Sequence, residues 1–259
     1  MKGVILAGGT GSRLYPLTRV TNKALLPMGE VPIIVHILNV FLKAGITDIM
    51  LVTGTEHVGA IMSLLGSGSE YGCQMTYRVQ DNANGIAAAL GLCENFVGQD
   101  RFAVILGDNI FENVDDVAAD IAFFAQDKKT DFGLFVKELP DAKRFGVAKY
   151  GVDGGLEDIV EKPDVLPSSD AVLGLYLYSA DVFQIIKRLR PSARGEYEIS
   201  DVNSAYVKSA FHTGHVFRVE DGWVDAGTHE SYQRATEMMR NRAFKEDIDL
   251  ISKVTKEFK

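Results

Sequence analysis

Four short runs, β-branched or continuously apolar, at residues 3–7, 49–53, 75–79 and 103–106, alternate with stretches of helical spacing, and this alternation limits the fold more than any other feature of the chain. Strands that are apolar along their whole length are covered on both faces, as in parallel sheets with crossover helices. The first crossover is the clearest: Ile33, Ile34, Ile37, Leu38, Phe41 and Leu42 repeat at helical spacing, Pro32 suits the first turn and Gly45 the exit. Helices are expected again near 57–65 and 86–96. The order strand–helix–strand predicts right-handed crossovers and a ligand site outside the carboxyl ends of the strands, so the loops after Leu6, Thr53, Val79 and Leu106 share one rim. Beyond Asp108 the pattern changes. A helix near 113–126 leads to strand-like runs at 132–136, 146–150, 156–161 and 171–178, a mixed extension of the first sheet. Helices near 180–188 and 200–209, a strand near 215–219 and a closing helix over 229–246, with Thr228 as its N-cap, complete the reading.

With 259 residues, 46% of them hydrophobic and 24% charged, the chain can bury a full-sized core. No Pro- or Ser-rich linker divides it, so a single lobed domain over 1–259 is expected. No stretch reaches the roughly 18 apolar residues of a spanning helix, and the first apolar run is too short for a signal segment, which predicts a cytoplasmic protein that keeps away from membranes. The balance of 27 Lys+Arg against 35 Asp+Glu, net −8, argues against a nucleic-acid polymer or an anionic membrane as partner. Any anionic substrate must therefore be met by a few cations gathered locally. Cys73 and Cys93 read as buried, reduced thiols. His212 and His215 have no cysteine or carboxylate at ligand spacing and do not read as a metal site.

Chemistry concentrates where the first strand ends. Leu6-Ala7-Gly8-Gly9-Thr10-Gly11-Ser12-Arg13-Leu14 is a buried strand running into a glycine-rich turn that closes on a cation. Backbone N–H groups at Gly8, Gly9 and Gly11 can converge on phosphate oxygens, and Arg13 can bridge two of them. The turn is not Gly-x-Gly-x-x-Gly, because Leu14 stands where the third glycine belongs, and no Gly-Lys-Ser/Thr follows to make a P-loop. Taken alone, such a turn is often only a tight loop.

The continuation, Leu14-Tyr15-Pro16-Leu17-Thr18 and then Asn22-Lys23-Ala24-Leu25-Leu26-Pro27, resembles the signature of the sugar-phosphate nucleotidyltransferases, and among them the glucose-1-phosphate thymidylyltransferases. The similarity goes on at Gln80-Asp81-Asn82-Ala83-Asn84-Gly85, Leu106-Gly107-Asp108-Asn109, Phe145-Gly146-Val147, Glu161-Lys162-Pro163, residues 171–176, residues 194–203 and Trp223-Val224-Asp225-Ala226-Gly227. The resemblance implies a Rossmann-like three-layer αβα nucleotidyltransferase fold with a mostly parallel central mixed sheet. It also implies a nucleotide-binding half over 1–110, a sugar-phosphate-binding part over 111–228 and a C-terminal helix and tail over 229–259.

The reaction so implied is Mg²⁺-dependent transfer of a nucleotidyl group from dTTP to glucose-1-phosphate, giving dTDP-glucose and pyrophosphate for deoxysugar and cell-surface polysaccharide synthesis. Residue by residue, Arg13, Lys23 and Lys162 resemble the family's catalytic cations. Leu6, Gly8, Gly9, Gly11, Ser12, Gln80, Gly85 and Asp108 match its nucleotide-binding positions, and Asn109, Gly146, Glu161, Val172, Tyr176 and Arg194 those around the sugar phosphate. Asp108 and Asp225 match the two carboxylates that hold Mg²⁺, a hard cation suited to oxygen ligands and phosphates. The family also implies a homodimer or homotetramer.

Ordinary readings stand beside these. A Glu-Lys pair is commonly a solvated strand end, an Asp after a strand is often a turn cap, and Trp223 could belong to the core. Three departures stand out: Ser12 replaces a frequent Thr, Phe145 a frequent Tyr, and the base loop lacks the usual proline. The chain also stops soon after its closing helix, which puts in doubt the allosteric site that a longer extension builds in many relatives. Alternatives left open are a UTP-using enzyme, a transferase acting on another hexose-1-phosphate, and a sugar-nucleotide sensor without turnover. A dinucleotide-binding oxidoreductase fails the glycine test.

Overall fold

The computed structural model describes residues 1–241. It begins with β1 (Lys2–Ala7), a hairpin of β2 (Pro27–Met28) and β3 (Val31–Pro32), α1 (Ile33–Lys43), β4 (Asp48–Gly54), α2 (Val58–Leu65) and β5 (Gln74–Gln80). The chain continues through α3 (Ile86–Gly91), α4 (Glu94–Val97), β6 (Phe102–Leu106), β7 (Asn109–Phe111), α5 (Val114–Gln126), β8 (Phe132–Glu138), β9 (Gly146–Tyr150), β10 (Leu156–Glu161) and β11 (Asp170–Tyr178). It closes with α6 (Val182–Ile186), α7 (Ile199–Val207), β12 (Gly214–Arg218), β13 (Trp223–Asp225) and α8 (His229–Asn241). These residues form two compact units, one of 1–83, 105–122 and the segment starting at 221, the other of 84–104 and 123–220.

The first unit holds the parallel set β1-β4-β5, with Ile5 opposite Leu51 and Leu51 opposite Tyr77. β1 is buried at every position after the first and β4 at its five central ones, as uninterrupted apolar runs require. β5 departs from expectation: it buries Met75 alone, because it ends the parallel set and has β4 along one edge only within this unit. α1 starts directly after Pro32, whose extended backbone sets the entry, and leaves through Gly45 at φ +73°, where an L side chain is disfavoured. Two short pairings were not foreseen. One is the β2–β3 hairpin, and the other an antiparallel ribbon in which β13 returns to β7 with Trp223 opposite Phe111 and Asp225 opposite Asn109.

The second unit runs β10-β9-β11-β8-β12, antiparallel except for the parallel pair β8–β12. All nine residues of β11 are buried. Tyr206 of α7 stacks on Tyr178 and Phe132, and Phe102 stacks on Phe183. A clamp on the buried Asp170 carboxylate ties three strands together: Tyr150 Oη donates to Asp170 at 2.6 Å and the exposed Arg218 donates through Nη2 to the same carboxylate at 2.7 Å. Burial works to raise the Asp170 pKa, but the bonds from Arg218 and Tyr150 outweigh it and hold it below the usual carboxylate value.

The helix expected over 86–96 is two helices, because Leu92 and Cys93 switch to i→i−3 bonds on Ala89 and Leu90 and end the first one. Thr228 caps α8 as expected: its Oγ1 accepts from Ser231 N–H at 3.2 Å while Ser231 Oγ accepts from Thr228 N–H at 3.0 Å. The continuation of that helix to 246 and the charged tail lie outside the described residues. Both cysteines are free thiols, but Cys73 is only half-buried, not buried as expected, since it lies in the exposed turn leading into β5. His212 packs edge-on against Tyr206, and His215 packs on Phe217. Among the described residues no helix is long and apolar enough to cross a membrane.

Candidate active site

In the first unit, the carboxyl end of β1 and the β7–β13 ribbon gather charge. Asn22 prepares Lys23: its Nδ2 donates to Ala7 O at 3.1 Å, and its Oδ1 accepts from Ala24 N–H at 2.9 Å, capping the short turn that carries the lysine. Lys23 Nζ then makes a close ion pair with Asp108 Oδ2, a residue buried at the end of the turn after β6. The other oxygen, Asp108 Oδ1, accepts from Asn109 Nδ2 at 3.0 Å, and Asn109 Oδ1 accepts in turn from Trp223 Nε1 at 3.0 Å. The ribbon register delivers Asp225 opposite Asn109, and Ala226 N–H binds Asp108 O at 2.8 Å. Arg13 reaches the same place from the glycine-rich turn. A Cβ on Gly227 would lie 2.7 Å from Asp225 Oδ1 and 2.8 Å from Arg13 Nη2, so only glycine lets the two side chains close in.

The two carboxylates are electrostatically unlike. Burial would raise Asp108, but the Lys23 ion pair, the bonds from Lys23 and Asn109 and the charge of Arg13 hold it below the ordinary value. Burial, and then the charge of Asp108, push Asp225 up to about 6 against the pull of Lys23 and Arg13. Asp225 Oδ1 is buried with no hydrogen-bond partner among the described residues. An orphaned acceptor beside a second carboxylate is short of positive charge. Two hard oxygen donors of this kind suit a Mg²⁺ ion whose remaining ligands come from phosphate and water.

Beside this cluster a cavity of about 140 Å³ is lined by residues 8–10, Asn22, 54–57, Gln80, Asp81 and Ala83. Gln80, at the end of β5, and Gly8 meet there: a Cβ on Gly8 would stand 2.9 Å from Gln80 Oε1. No lysine or arginine lines the cavity, which suits an uncharged ring rather than a phosphate. Leu6 is buried in β1, while Ser12 and Arg13 are exposed on the turn that Thr18 ties down through Gly11 O at 2.8 Å. The expected nucleotide and metal residues from Leu6 to Gln80, with Asp108, Asn109 and Asp225, thus all fall in this unit.

The second unit holds the others. Glu161, at the end of β10 and opposite Gly146, is gripped on both oxygens: Ser200 Oγ donates to Oε2 at 2.5 Å and Arg194 Nη2 to Oε1 at 3.2 Å, with Lys162 Nζ 3.4 Å from Oε1. Arg194 is itself held by the buried Glu198 at 2.9 Å, and Ser192 donates to that carboxylate at 2.7 Å. Lys162 is the sole non-glycine residue with positive φ among the described residues, at +41°, and its N–H binds Phe145 O at 3.0 Å. Val172 and Tyr176 are buried on β11 outside this ion-pair cluster. Gly85, at φ +110°, sits so close to Tyr197 that a Cβ would meet its carbonyl oxygen at 2.4 Å. Sequence reasoning passed over Asn22 and Ser200, whose partners lie far along the chain; a polar residue just before a cation, and a hydroxyl in the first turn of α7, were the only local signals.

The nucleotidyl transferase family model matches residues 2–242. The glucose-1-phosphate thymidylyltransferase of Neisseria meningitidis is 38% identical, over 93% of this chain and 83% of its own length, and that of Neisseria gonorrhoeae 39% identical over the same shares. A Bacillus anthracis protein described as a candidate glucose-1-phosphate thymidylyltransferase, solved in complex with sucrose, superposes with a TM-score of 0.87 at 49% identity, covering 96% of this chain and 99% of that one. The fold is accordingly the α/β type with a mixed, mostly parallel central sheet that the sequence led one to expect. With a match along nearly the whole described chain and relatives at such identity, this chain belongs to the nucleotidyl transferase family.

Proposed function

We propose that the chain transfers a thymidylyl group from dTTP to glucose-1-phosphate with the help of Mg²⁺. The observation that carries this reading is the Arg13, Lys23, Asp108 and Asp225 cluster at the mouth of the glycine-rich turn, in a chain 38–39% identical to two thymidylyltransferases. A phosphate oxygen of the sugar-1-phosphate attacks the α-phosphorus of dTTP, the bond from that phosphorus to the bridging oxygen breaks, and pyrophosphate leaves with the electron pair. No covalent intermediate with the protein is needed, so positioning and charge neutralisation do most of the work.

Arg13, at the end of the turn, stabilises the triphosphate and the departing pyrophosphate, while Lys23 faces the α-phosphoryl oxygens. Asp108 and Asp225 would hold the Mg²⁺, which supplies positive charge to the phosphate oxygens. Gln80 reads the pyrimidine edge through its amide, from the cavity without cations, and Gly85 adds a backbone N–H. Glu161, fixed by Ser200 and Arg194, accepts hydrogen bonds from sugar hydroxyls, and Lys162 holds the sugar phosphate. Asn109, Gly146, Val172 and Tyr176 are assigned to the surroundings of the sugar phosphate.

The test is pyrophosphate release with each nucleoside triphosphate paired with glucose-, galactose-, mannose- and N-acetylglucosamine-1-phosphate, with and without Mg²⁺. dTTP with glucose-1-phosphate is expected to give the highest kcat/KM, and omission of Mg²⁺ to silence it. The preference over UTP rests on one methyl group and should stay within about 10- to 200-fold. Release from no pair would reject the enzyme reading, and a different preferred pair would replace the substrates named.

A further inference from the structure

We propose that Trp223 is a positioning residue for the acidic pair: its indole N–H fixes the amide of Asn109 so that this amide, in turn, fixes Asp108. The inference rests on the assignment of Asp108 and Asp225 as the metal carboxylates. Its geometric basis is a chain of three buried side chains, two in the β7–β13 ribbon and one in the turn before it, with Trp223 Nε1 to Asn109 Oδ1 at 3.0 Å and Asn109 Nδ2 to Asp108 Oδ1 at 3.0 Å.

An amide can turn either end toward a carboxylate. With its oxygen toward Asp108 it would repel, and with its nitrogen it donates. A donor-only indole on the far side removes the choice, because it can pair only with the amide oxygen. Trp223 is 7% exposed, Asn109 3% and Asp108 7%, so water cannot readily take over either bond if one partner is lost.

The consequence reaches both carboxylates. Lys23 occupies Asp108 Oδ2 and Asn109 binds Oδ1, so the carboxylate plane is fixed at both oxygens and each keeps lone-pair capacity for a cation. The same ribbon sets Asp225 opposite Asn109. Partners of metal ligands that act at one remove typically change metal affinity by about 10- to 100-fold when lost. Trp223 acts one bond further out, and an effect at the lower end, about five- to twentyfold, is expected.

The experiment uses Mn²⁺ as the probe and the full chain. Trp223 is the only tryptophan of the chain, so its emission reports on this ribbon alone. In the wild type, added Mn²⁺ should quench that emission and Mg²⁺ should reverse the quenching. Free Mn²⁺, followed by electron paramagnetic resonance, gives a dissociation constant that does not depend on turnover. Trp223→Phe keeps an aromatic ring in the ribbon and removes the donor, and the constant should rise about five- to twentyfold. In an Asn109→Leu background the same change should add less than about twofold, because the relay is already cut.

If Trp223→Phe does not fold, replacing the single tryptophan with benzothienylalanine removes the N–H at nearly constant volume and makes the same prediction. Unchanged Mn²⁺ binding in the donor-less protein, or a loss undiminished in the Asn109→Leu background, would overturn the relay while leaving the metal assignment standing. Absence of Mn²⁺ binding in the wild type would overturn that assignment, and the relay with it.

Discussion

Lys162 is held in the left-handed region at φ +41° by the bond from its N–H to Phe145 O and by its place at the end of β10. For a residue with a Cβ this conformation costs about 1–2 kcal/mol. Glycine would relieve it but would delete the cation assigned to the sugar phosphate. Lys162→Gly is therefore expected to melt a few degrees higher in a thermal scan and to lose more than about a hundredfold in kcat/KM for glucose-1-phosphate. A variant that loses activity and stability together would contradict this reading. Asp225 presents the same opposition of stability and function. One of its oxygens is buried without a hydrogen-bond partner among the described residues, and burial and the charge of Asp108 both disfavour its ionised form; Asp225→Asn removes that charge, so the metal-free protein should stay folded and gain up to about 1 kcal/mol while Mg²⁺-dependent turnover disappears. Calorimetry without metal, alongside the pyrophosphate assay, measures both halves.

At the scale of elements, the Tyr150–Asp170–Arg218 clamp joins β9, β11 and β12. Because the folded Asp170 pKa is depressed, its contribution to stability is complete above the unfolded value near 4 and is lost as pH falls through the folded one. Asp170→Asn should cost about 1–2 kcal/mol at pH 7, since the exposed Arg218 is screened by solvent, as measured by urea unfolding, and the gap to the wild type should narrow toward pH 3. The elements also differ in how readable they were. β1 and β4 follow from unbroken apolar runs, and β9 and β10 begin and end where their local pattern places them. The β7–β13 ribbon was not readable, because three-residue strands carry no periodicity and the partners stand more than a hundred positions apart. The same separation hid the work of Trp223, which the sequence left as either core or site and which is both buried and a donor. Ser200 was visible only as part of a motif, since its role depends on β10 presenting Glu161 to the first turn of α7.

For the whole molecule, the excess of eight negative charges means that attraction of a polyanionic substrate begins only near Arg13 and Lys23. Over longer distances the field opposes approach. Screening should weaken the distant repulsion and the near attraction together, so kcat/KM for dTTP is expected to change less than about threefold as ionic strength rises from roughly 0.02 to 0.2 M. A steep fall would reveal a steering field that the charge distribution does not predict. The first unit is built from three separated stretches of chain, the last of them starting at residue 221. A ribosome that has made everything before that point has released Arg13, Lys23 and Asp108, but neither the strand that settles Asn109 nor the second carboxylate. The nascent polypeptide can meet nucleoside triphosphates with its cations in place and its acidic pair half made. With Asp225 assigned as the second metal carboxylate, consumption of the triphosphate is expected only once residue 225 has cleared the exit tunnel.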